Sequence, residues 1–317
     1  MRFSHISLGG LALAIATPAF ADTLPADPAT APAIDPMTPV SADAPAVPAA
    51  TDAPAAPVQD ASPTSPPPAI TFTGSITLVS DYRFRGATQT NGDPALQATL
   101  NINHSSGFYI GTFASLIDGQ LDGSTPALTG YGGAEVDLYG GFTKTLSSGV
   151  GFDVGLLYYL YPTRAAGFKT DFFEPYASVN YTIGPVNAKV GANYAWGGQA
   201  GLNFTPGKDD SLYLYGELSF AVPTTPVTLK GHLGRTDGSL GLLNPLGTDD
   251  TYLDWSLTAE ASLGGLKVGV SYVDTDISEA KGLWSKGYGH SQLTKFDRFA
   301  QFYGRGSTVL AYVGYSF

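Results

Sequence analysis

The chain has 317 residues, no cysteine, and 27 acidic against 16 basic residues, so its net charge is −11. The missing cysteines exclude a disulfide scaffold and thiolate metal sites, and the acidic balance argues against nucleic acid as a partner, because that needs clustered Lys and Arg. Gly is abundant at 39 residues and only 14% of residues are charged, which is typical of a β-rich chain with many turns.

Residues 1–21 have the three parts of a secretory signal peptide. Arg2 supplies the positive start, Leu8–Ala16 form a short apolar stretch, and Ala19–Ala21 fit an A-x-A cleavage site before Asp22. The apolar stretch is too short to cross a bilayer as a helix. A buried N-terminal helix is the alternative. The sequence predicts a signal peptide, which places the mature protein outside the cytoplasm.

Residues 22–69 hold 13 of the 23 prolines, mixed with Ala, Asp, Ser and Thr. Proline removes backbone donors, and the segment has almost no large apolar residues with which to bury a core. We therefore expect a disordered, extended Pro/Ala-rich spacer in the periplasm. The sequence leaves two roles for this spacer, a passive linker or a tether toward the cell wall.

Residues 70–317 repeat segments of about ten residues in which apolar and polar positions alternate, as in strands that cross a bilayer. Turn residues separate these segments. The pattern predicts twelve strands, near residues 72–85, 94–104, 107–117, 133–144, 150–161, 172–183, 186–196, 210–221, 226–236, 250–262, 265–275 and 306–317.

The alternation alone does not say which face points inward. A soluble sandwich or barrel buries its apolar face, whereas an outer-membrane barrel turns that face to lipid and its polar face to the lumen. Short turns alternate with long connections, which matches periplasmic turns and extracellular loops. The sequence thus predicts an all-β fold, a transmembrane antiparallel up-and-down β-barrel of about twelve strands, in the outer membrane of a Gram-negative bacterium. An even strand number places both barrel ends on the periplasmic side, together with the spacer.

The last strand ends the chain on an aromatic residue. Its alternate positions share one face and resemble the C-terminal signal that the barrel-assembly machinery of outer membranes recognises: Val309, Ala311, Val313, Tyr315 and Phe317. A terminal edge strand formed by chance is the alternative. Further aromatic residues near strand ends fit the interfacial girdles of such barrels: Tyr158, Tyr181, Tyr194, Trp196, Phe220 and Tyr272.

Charged residues at alternate positions are the candidates for lining the lumen. The acids are Asp81, Glu135, Asp137, Asp153, Glu174, Glu217, Asp254 and Glu260, and the bases are Arg83, Arg85, Lys189, Lys230 and Lys267. Because rings of charge set ion preference and the acids outnumber the bases, we expect a weak preference for cations. An ion-pair network around Arg83 and Arg85 would either line a pore or plug and stiffen the barrel.

Residues 75–115 resemble the opening of the TorF family of proposed porins, also described as a Gcw-type family of unknown function. The matching features are Ser80-Asp81-Tyr82-Arg83-Phe84-Arg85-Gly86, Gln89, Gly92-Asp93-Pro94-Ala95 and Ser106-Gly107-Phe108-Tyr109-Ile110-Gly111. The resemblance extends more weakly to Phe317. It implies an outer-membrane barrel with pore activity, and it offers no catalytic residues.

The sequence therefore favours a porin-like channel for passive diffusion of small solutes or ions, with membrane lipid and the assembly machinery as its partners. A non-conducting structural or adhesive barrel that acts through its loops is the alternative. An enzyme is not expected, because no HExxH, GxSxG or phosphate-loop pattern occurs and only His232, paired with Ser239 or Ser256, suggests a catalytic group. No cofactor and no metal site is expected.

Overall fold

The computed structural model describes residues 68–119, 128, 130–202, 210–238, 251–276 and 306–317. Within them, twelve antiparallel strands form a closed barrel, and two short strands form a separate hairpin. The barrel strands are β1 (Ile70–Val79), β4 (Ala95–His104), β5 (Phe108–Gly119), β6 (Gly132–Thr145), β7 (Val150–Leu160), β8 (Phe172–Ile183), β9 (Val186–Ala195), β10 (Ser211–Ala221), β11 (Val227–Gly238), β12 (Thr251–Leu263), β13 (Leu266–Thr275) and β14 (Thr308–Ser316). The hairpin consists of β2 (Arg83–Phe84) and β3 (Ala87–Thr88). The predicted signal peptide and all but the last two residues of the predicted spacer lie outside the described residues.

The barrel closes where its last strand returns to its first. β14 pairs with β1 from Ser75↔Ser316 to Val79↔Tyr312. Just beyond this ladder, Gly74 and Phe317 each donate their backbone N–H to the other's carbonyl oxygen, both at 3.0 Å. Closure removes the free strand edges, which a lipid environment would leave without hydrogen-bond partners. The predicted twelve-stranded antiparallel β-barrel is confirmed.

The polarity of the wall is the reverse of that in a water-soluble barrel. Large apolar side chains stand exposed on the outer face, including Ile183, Leu257 and Val309 with 66–68% of their surface accessible. Acidic side chains such as Asp153 and Glu174, by contrast, are buried on the inner face. An apolar outer face and a polar inner face are what a barrel embedded in lipid requires. Among the described residues, no helix is long and apolar enough to cross a membrane.

The two ends of the barrel differ in their connections. Tight turns join β4 to β5, β6 to β7, β8 to β9, β10 to β11 and β12 to β13, and the start of β1 and the end of β14 lie at this same end. We call it the short-turn end. The connections at the opposite end are longer, and we call that the long-loop end.

Exposed aromatic side chains mark both ends of the outer face. Tyr194, Trp196 and Tyr272 lie toward the long-loop end, whereas Tyr181 and Tyr315 lie toward the short-turn end. These positions are where the interfacial belts of membrane barrels occur, because an amphipathic ring suits the headgroup region.

The largest difference from the predicted strands concerns the first one. β1 ends at Val79 rather than near residue 85, and the next residues turn into the barrel. All residues from Asp81 to Thr90 are buried, and we call this segment the inner hairpin. Alternation along a single strand would set Tyr82 and Phe84 on the face opposite to Asp81, Arg83 and Arg85. Both rings are buried, because a segment inside the lumen is surrounded on every side and alternation no longer decides burial.

Candidate functional site: the inner hairpin and the lumen

Asp81 organises the inner hairpin from within. Its Oδ2 accepts a hydrogen bond from Arg83 Nε, and its Oδ1 accepts from the hydroxyls of Thr88 and Thr90. The two sides of the hairpin are also joined by the Tyr82 N–H, which donates to the Thr90 hydroxyl at 3.1 Å. A buried carboxylate with three donors is well compensated. The hairpin is thus a folded unit with its own polar core.

The tip of the hairpin needs a glycine. Arg85 and Gly86 have φ values of 48° and 80°, in the left-handed region where L residues with a Cβ are disfavoured. A Cβ on Gly86 would also collide with the methyl group of Thr275 and lie 3.1 Å from Cβ of Asp254. The absent side chain lets the tip lie directly against β12 and β13.

Arg85 joins the tip to the opposite wall. Its Nη2 donates to both carboxylate oxygens of Glu174, at 2.7 and 2.9 Å, and both side chains are fully buried. The guanidinium also lies between aromatic rings, 4.8 Å from the centroid of Phe84 and 4.2 Å from that of Tyr213. Burial alone would lower the pKa of Arg85, but the Glu174 carboxylate outweighs it and raises the pKa above its ordinary value.

Glu174 is held in turn by the wall around it. Its Oε2 accepts hydrogen bonds from the Tyr159 hydroxyl at 3.0 Å and from Nδ2 of Asn193 at 3.2 Å. These residues lie on β7, β8 and β9, three adjacent strands. The carboxylate thus has a fixed position before it meets Arg85.

The hairpin reaches strands on several sides of the lumen. The Tyr82 ring packs on Phe113 of β5 at 5.9 Å between centroids, and the Gln89 carbonyl accepts from the Asp118 N–H at 2.8 Å. On the other side, the Tyr252 hydroxyl of β12 donates to the Arg85 carbonyl at 3.2 Å. Together with Glu174 of β8 and Thr275 of β13, these contacts stretch the hairpin across the lumen near its long-loop end.

Two buried acids of β6 lie beside the hairpin and differ in their partners. The hydroxyls of Tyr82 and Tyr161 hydrogen-bond to Glu135. Burial, together with Glu135 and Asp137, raises the pKa of Tyr82 well above its usual value, so its hydroxyl keeps the proton that it donates. Asp137 is 1% exposed, and among the described residues neither of its carboxylate oxygens has a hydrogen-bond partner.

A second layer of paired charges lies farther toward the short-turn end. Glu217 lies 3.5 Å from Lys189 Nζ and 3.7 Å from His232 Nδ1. His232 Nε2 lies 3.1 Å from Asp254 Oδ1 and 2.8 Å from the Tyr213 hydroxyl. This layer connects β9, β10, β11 and β12 on the inner wall.

Acids elsewhere on the inner wall are paired with tyrosines or lysine. The Tyr109 hydroxyl donates to Asp153 at 2.6 Å, and the Tyr312 hydroxyl donates to Glu260 at 2.6 Å. Lys230 Nζ lies 3.1 Å from the other carboxylate oxygen of Glu260.

The predicted lumen residues occupy two different settings. Asp81, Arg83 and Arg85 belong to the inner hairpin rather than to a wall strand. The buried wall residues of the set are Glu135, Asp137, Asp153, Glu174, Asp254 and Glu260. The half-buried ones are Lys189, Glu217, Lys230 and Lys267. Three of these half-buried residues are lysines near the short-turn end, so the lumen becomes more accessible to solvent there.

Sequence reasoning missed the tyrosines of the inner wall. The predicted lumen residues are all charged, yet the inner face also carries buried tyrosine rings on many strands: Tyr109, Tyr139, Tyr159, Tyr176, Tyr213, Tyr215 and Tyr312. For five of them the signal was present in the alternation, because Tyr139, Tyr159, Tyr176, Tyr213 and Tyr215 have the same parity as a predicted inner polar residue of their own strand. Tyr139, for instance, follows Glu135 and Asp137 on one face of β6.

The predicted C-terminal residues share the outer face. Val309, Val313, Tyr315 and Phe317 are between 43% and 67% exposed, and Ala311 is exposed as well. The Phe317 ring lies over Gly74, where a Cβ would come within 2.7 Å of it.

His232, the one residue that suggests a catalytic group, is not placed beside a serine nucleophile with an orienting partner in the described part of the chain. His232 faces Ser256 across the β11–β12 pair but meets Tyr213 and Asp254 through its ring nitrogen, and Ser239 lies outside the described residues. Among the described residues, no group of three His, Asp or Glu side chains is placed to hold a metal ion.

Several solved structures are remotely similar to this chain. A NanC porin structure is 9% identical, with a TM-score of 0.47, 78% of this chain and 99% of that chain covered. An outer-membrane channel from Pseudomonas putida F1 is also 9% identical, with a TM-score of 0.46, 82% of this chain and 99% of that chain covered. These similarities are too remote to inform on the function of this chain.

No curated protein matches the chain. A family model described as "Bacterial protein of unknown function (Gcw_chp)" does match, over residues 60–295. That range covers well over half of the chain, including every barrel strand except β14, and the chain therefore belongs to the Gcw_chp family.

Proposed function

We propose that the protein is a porin-like channel of the outer membrane, which lets small solutes or ions diffuse passively. The observation that carries this proposal is the reversed polarity of the closed barrel, with an apolar outer face and a charged, hydroxyl-rich inner face. A polar inner wall is what a water-filled channel through the barrel needs. The resemblance to the TorF porins points the same way.

A weak preference for cations is part of this proposal. The inner set holds eight acids and five bases. Rings of charge along a pore enrich counter-ions and set ion preference.

Conductance of the purified protein tests both statements. We expect single-channel steps in planar bilayers and a reversal potential in a salt gradient on the cation side. Heat-unfolded protein in the same detergent is the control for leak. Absence of any steps, also when residues 81–91 are replaced by a short Gly-Ser link, would overturn the channel. A reversal potential on the anion side would overturn only the cation preference.

A non-conducting structural or adhesive barrel is the second candidate. The observation in its favour is the inner hairpin, which places Arg83 and Arg85, each paired with a carboxylate, across the lumen. In such a barrel, the loops at the long-loop end would carry the function. Permeation of small sugars into proteoliposomes separates the two candidates, because a purely structural barrel would not permit it.

The proposed location in the outer membrane also includes an orientation, an assembly signal and an export signal. The short-turn end faces the periplasm, with the spacer on that side and the cell wall within its reach. The outer-facing residues of the last strand serve the assembly machinery as a recognition signal. The signal peptide directs export. Membrane fractionation after expression, with and without residues 1–21, tests the export step directly.

A further inference from the structure

We propose that the inner hairpin is a gate, which closes the lumen at the long-loop end while the Arg85–Glu174 ion pair latches it to the wall. This proposal rests on the proposed channel function and names its regulation. The closed position is the one described above, with every residue from Asp81 to Thr90 buried inside the barrel.

Hydrogen bonds within the gate would let it move as one body. Asp81 binds Arg83, Thr88 and Thr90 within the hairpin, and the Gln89 N–H donates to the Tyr82 carbonyl at 2.7 Å. These bonds join residues of the hairpin to one another. They would survive a displacement of the whole unit, so leaving the lumen does not require that the hairpin unfold.

The gate can also leave without opening the barrel wall. β1 and β4 pair with each other up to Val79↔Ala95, and the hairpin is the connection between these two paired residues. At its start, the Ser80 N–H still donates to the Ala311 carbonyl at 2.9 Å. Among the described strands, no ladder of the barrel includes a residue of the hairpin. Swinging it outward therefore leaves the hydrogen bonds between the wall strands intact.

Both hairpin ends offer a hinge at the mouth of the barrel. Ser80 is exposed on one side, and Gly92, Asp93 and Pro94 are exposed on the other. Gly92 has a φ of 85° and nothing within 4 Å of a Cβ position. A glycine in open space next to a turn can absorb a change of backbone angles at little steric cost.

One residue at the tip makes several of the contacts that hold the gate to the wall. Arg85 contributes the ion pair with Glu174, the stacking on Tyr213 and the carbonyl that accepts from Tyr252. The bond from Asp118 to Gln89 and the bond from Arg83 to the Gly306 carbonyl are further holds. An ion pair that is lost as soon as the tip moves is suited to a latch, because weakening one partner shifts the balance between closed and open.

A reversible disulfide can lock the gate, because the chain contains no cysteine of its own. The backbone bond of 2.8 Å between Asp118 and Gln89 holds the two residues side by side, so Gln89→Cys with Asp118→Cys would tether the hairpin to β5. The matched control is Ser75→Cys with Thr99→Cys, two neighbours on the inner wall whose hydroxyl oxygens are 2.8 Å apart. The control links β1 to β4 and leaves the hairpin free.

We expect oxidation of the gate pair to lower conductance in planar bilayers by about tenfold, with recovery on reduction, while the control pair shows no change on oxidation. Glu174→Gln, which removes the charge of the latch, is expected to raise the open fraction several-fold. Equal conductance of the oxidised and the reduced gate pair would overturn the gate and leave the channel standing. Reaction of both cysteines with an external maleimide in the resting state would contradict the closed position. If the variant without residues 81–91 also shows no conductance, the channel function is overturned, and the gate with it.

Discussion

Arg85 and Glu174 form an ion pair with no exposed surface on either side chain. Such a pair adds little net stability relative to an apolar pair, but removing one partner leaves a buried charge without compensation. We expect Arg85→Gln to lower the free energy of unfolding by about 3–5 kcal/mol. The double variant Arg85→Gln with Glu174→Gln should lose clearly less than the sum of the two single variants. Urea unfolding in detergent micelles measures all three, and additive losses would show that the pair is not coupled.

Asp137 presents the opposite case, a buried carboxylate without a hydrogen-bond partner among the described residues. Burying a lone charge is unfavourable, and an amide of the same shape avoids that cost. We expect Asp137→Asn to leave the barrel as stable or to stabilise it by about 1 kcal/mol. Asp153→Asn is the matched control. Asp153 accepts a hydrogen bond from the Tyr109 hydroxyl at 2.6 Å, and a neutral amide oxygen is a weaker acceptor than a carboxylate, so this change should destabilise. Equal losses in both variants would contradict the difference between the two sites.

At this scale, the sequence could show which residues face inward but not which of them pair. Alternation assigns Glu174 to the inner face of its strand, since inner and outer positions follow from parity alone. The partner of Glu174 lies 89 positions earlier, on a hairpin that enters the lumen. Pairing across the lumen depends on where the chain turns inward, and the local pattern does not contain that information. The same holds for Tyr82, whose burial depends on the hairpin and not on the parity of β1.

The end of the first strand, β1, cannot be recognised from the sequence pattern. Alternation continues past Val79 into Asp81, Arg83 and Arg85, and it therefore predicts one strand to residue 85. The wall strand ends earlier because the chain leaves the sheet at Ser80. The φ values of 48° and 80° at Arg85 and Gly86 form the tip of the inner hairpin. Such angles cannot be read from the sequence Arg-Gly alone, although a glycine after a charged run permits them.

The seam between β1 and β14 depends on a small residue at Gly74. A Cβ there would lie 2.7 Å from the Phe317 ring and 2.8 Å from the Thr99 carbonyl oxygen, which is backbone and cannot move aside. We expect Gly74→Ala to destabilise the seam and to reduce the folded fraction that resists sodium dodecyl sulfate in unheated gels.

The control for this change is Gly216→Ala on β10. Gly216 also lies in a barrel strand, but a Cβ there would find its nearest atom, Lys189 O, at 3.9 Å, an ordinary contact. The folded fraction of this variant should equal that of the unchanged protein. If both alanine variants behave alike, the contact between Gly74 and Phe317 does not limit closure.

At the scale of the whole molecule, the barrel closes by pairing its first strand, β1, with its last strand, β14. The start of β1 and the end of β14 lie together at the short-turn end. Alternation and turn lengths were enough to predict this architecture, because a lipid environment permits few solutions for a chain of polar backbone groups. The even number of strands then follows from the requirement that neighbours be antiparallel. Alternation and turn lengths do not predict that a segment enters the lumen. The inner hairpin enters it through contacts with residues far away in the sequence, and a local pattern does not contain such contacts.

The difference between the two barrel ends makes the orientation in the membrane testable. An epitope inserted after Gly167, in the long connection between β7 and β8, should be reached by antibody on intact cells. The same epitope inserted at Ser148, in the tight turn between β6 and β7, should be reached only after the outer membrane is permeabilised. Both insertion sites lie outside strands, so both variants should fold, which unheated gels verify. Labelling of the Ser148 epitope on intact cells would reverse the orientation, and it would place the inner hairpin at the periplasmic rather than the external mouth.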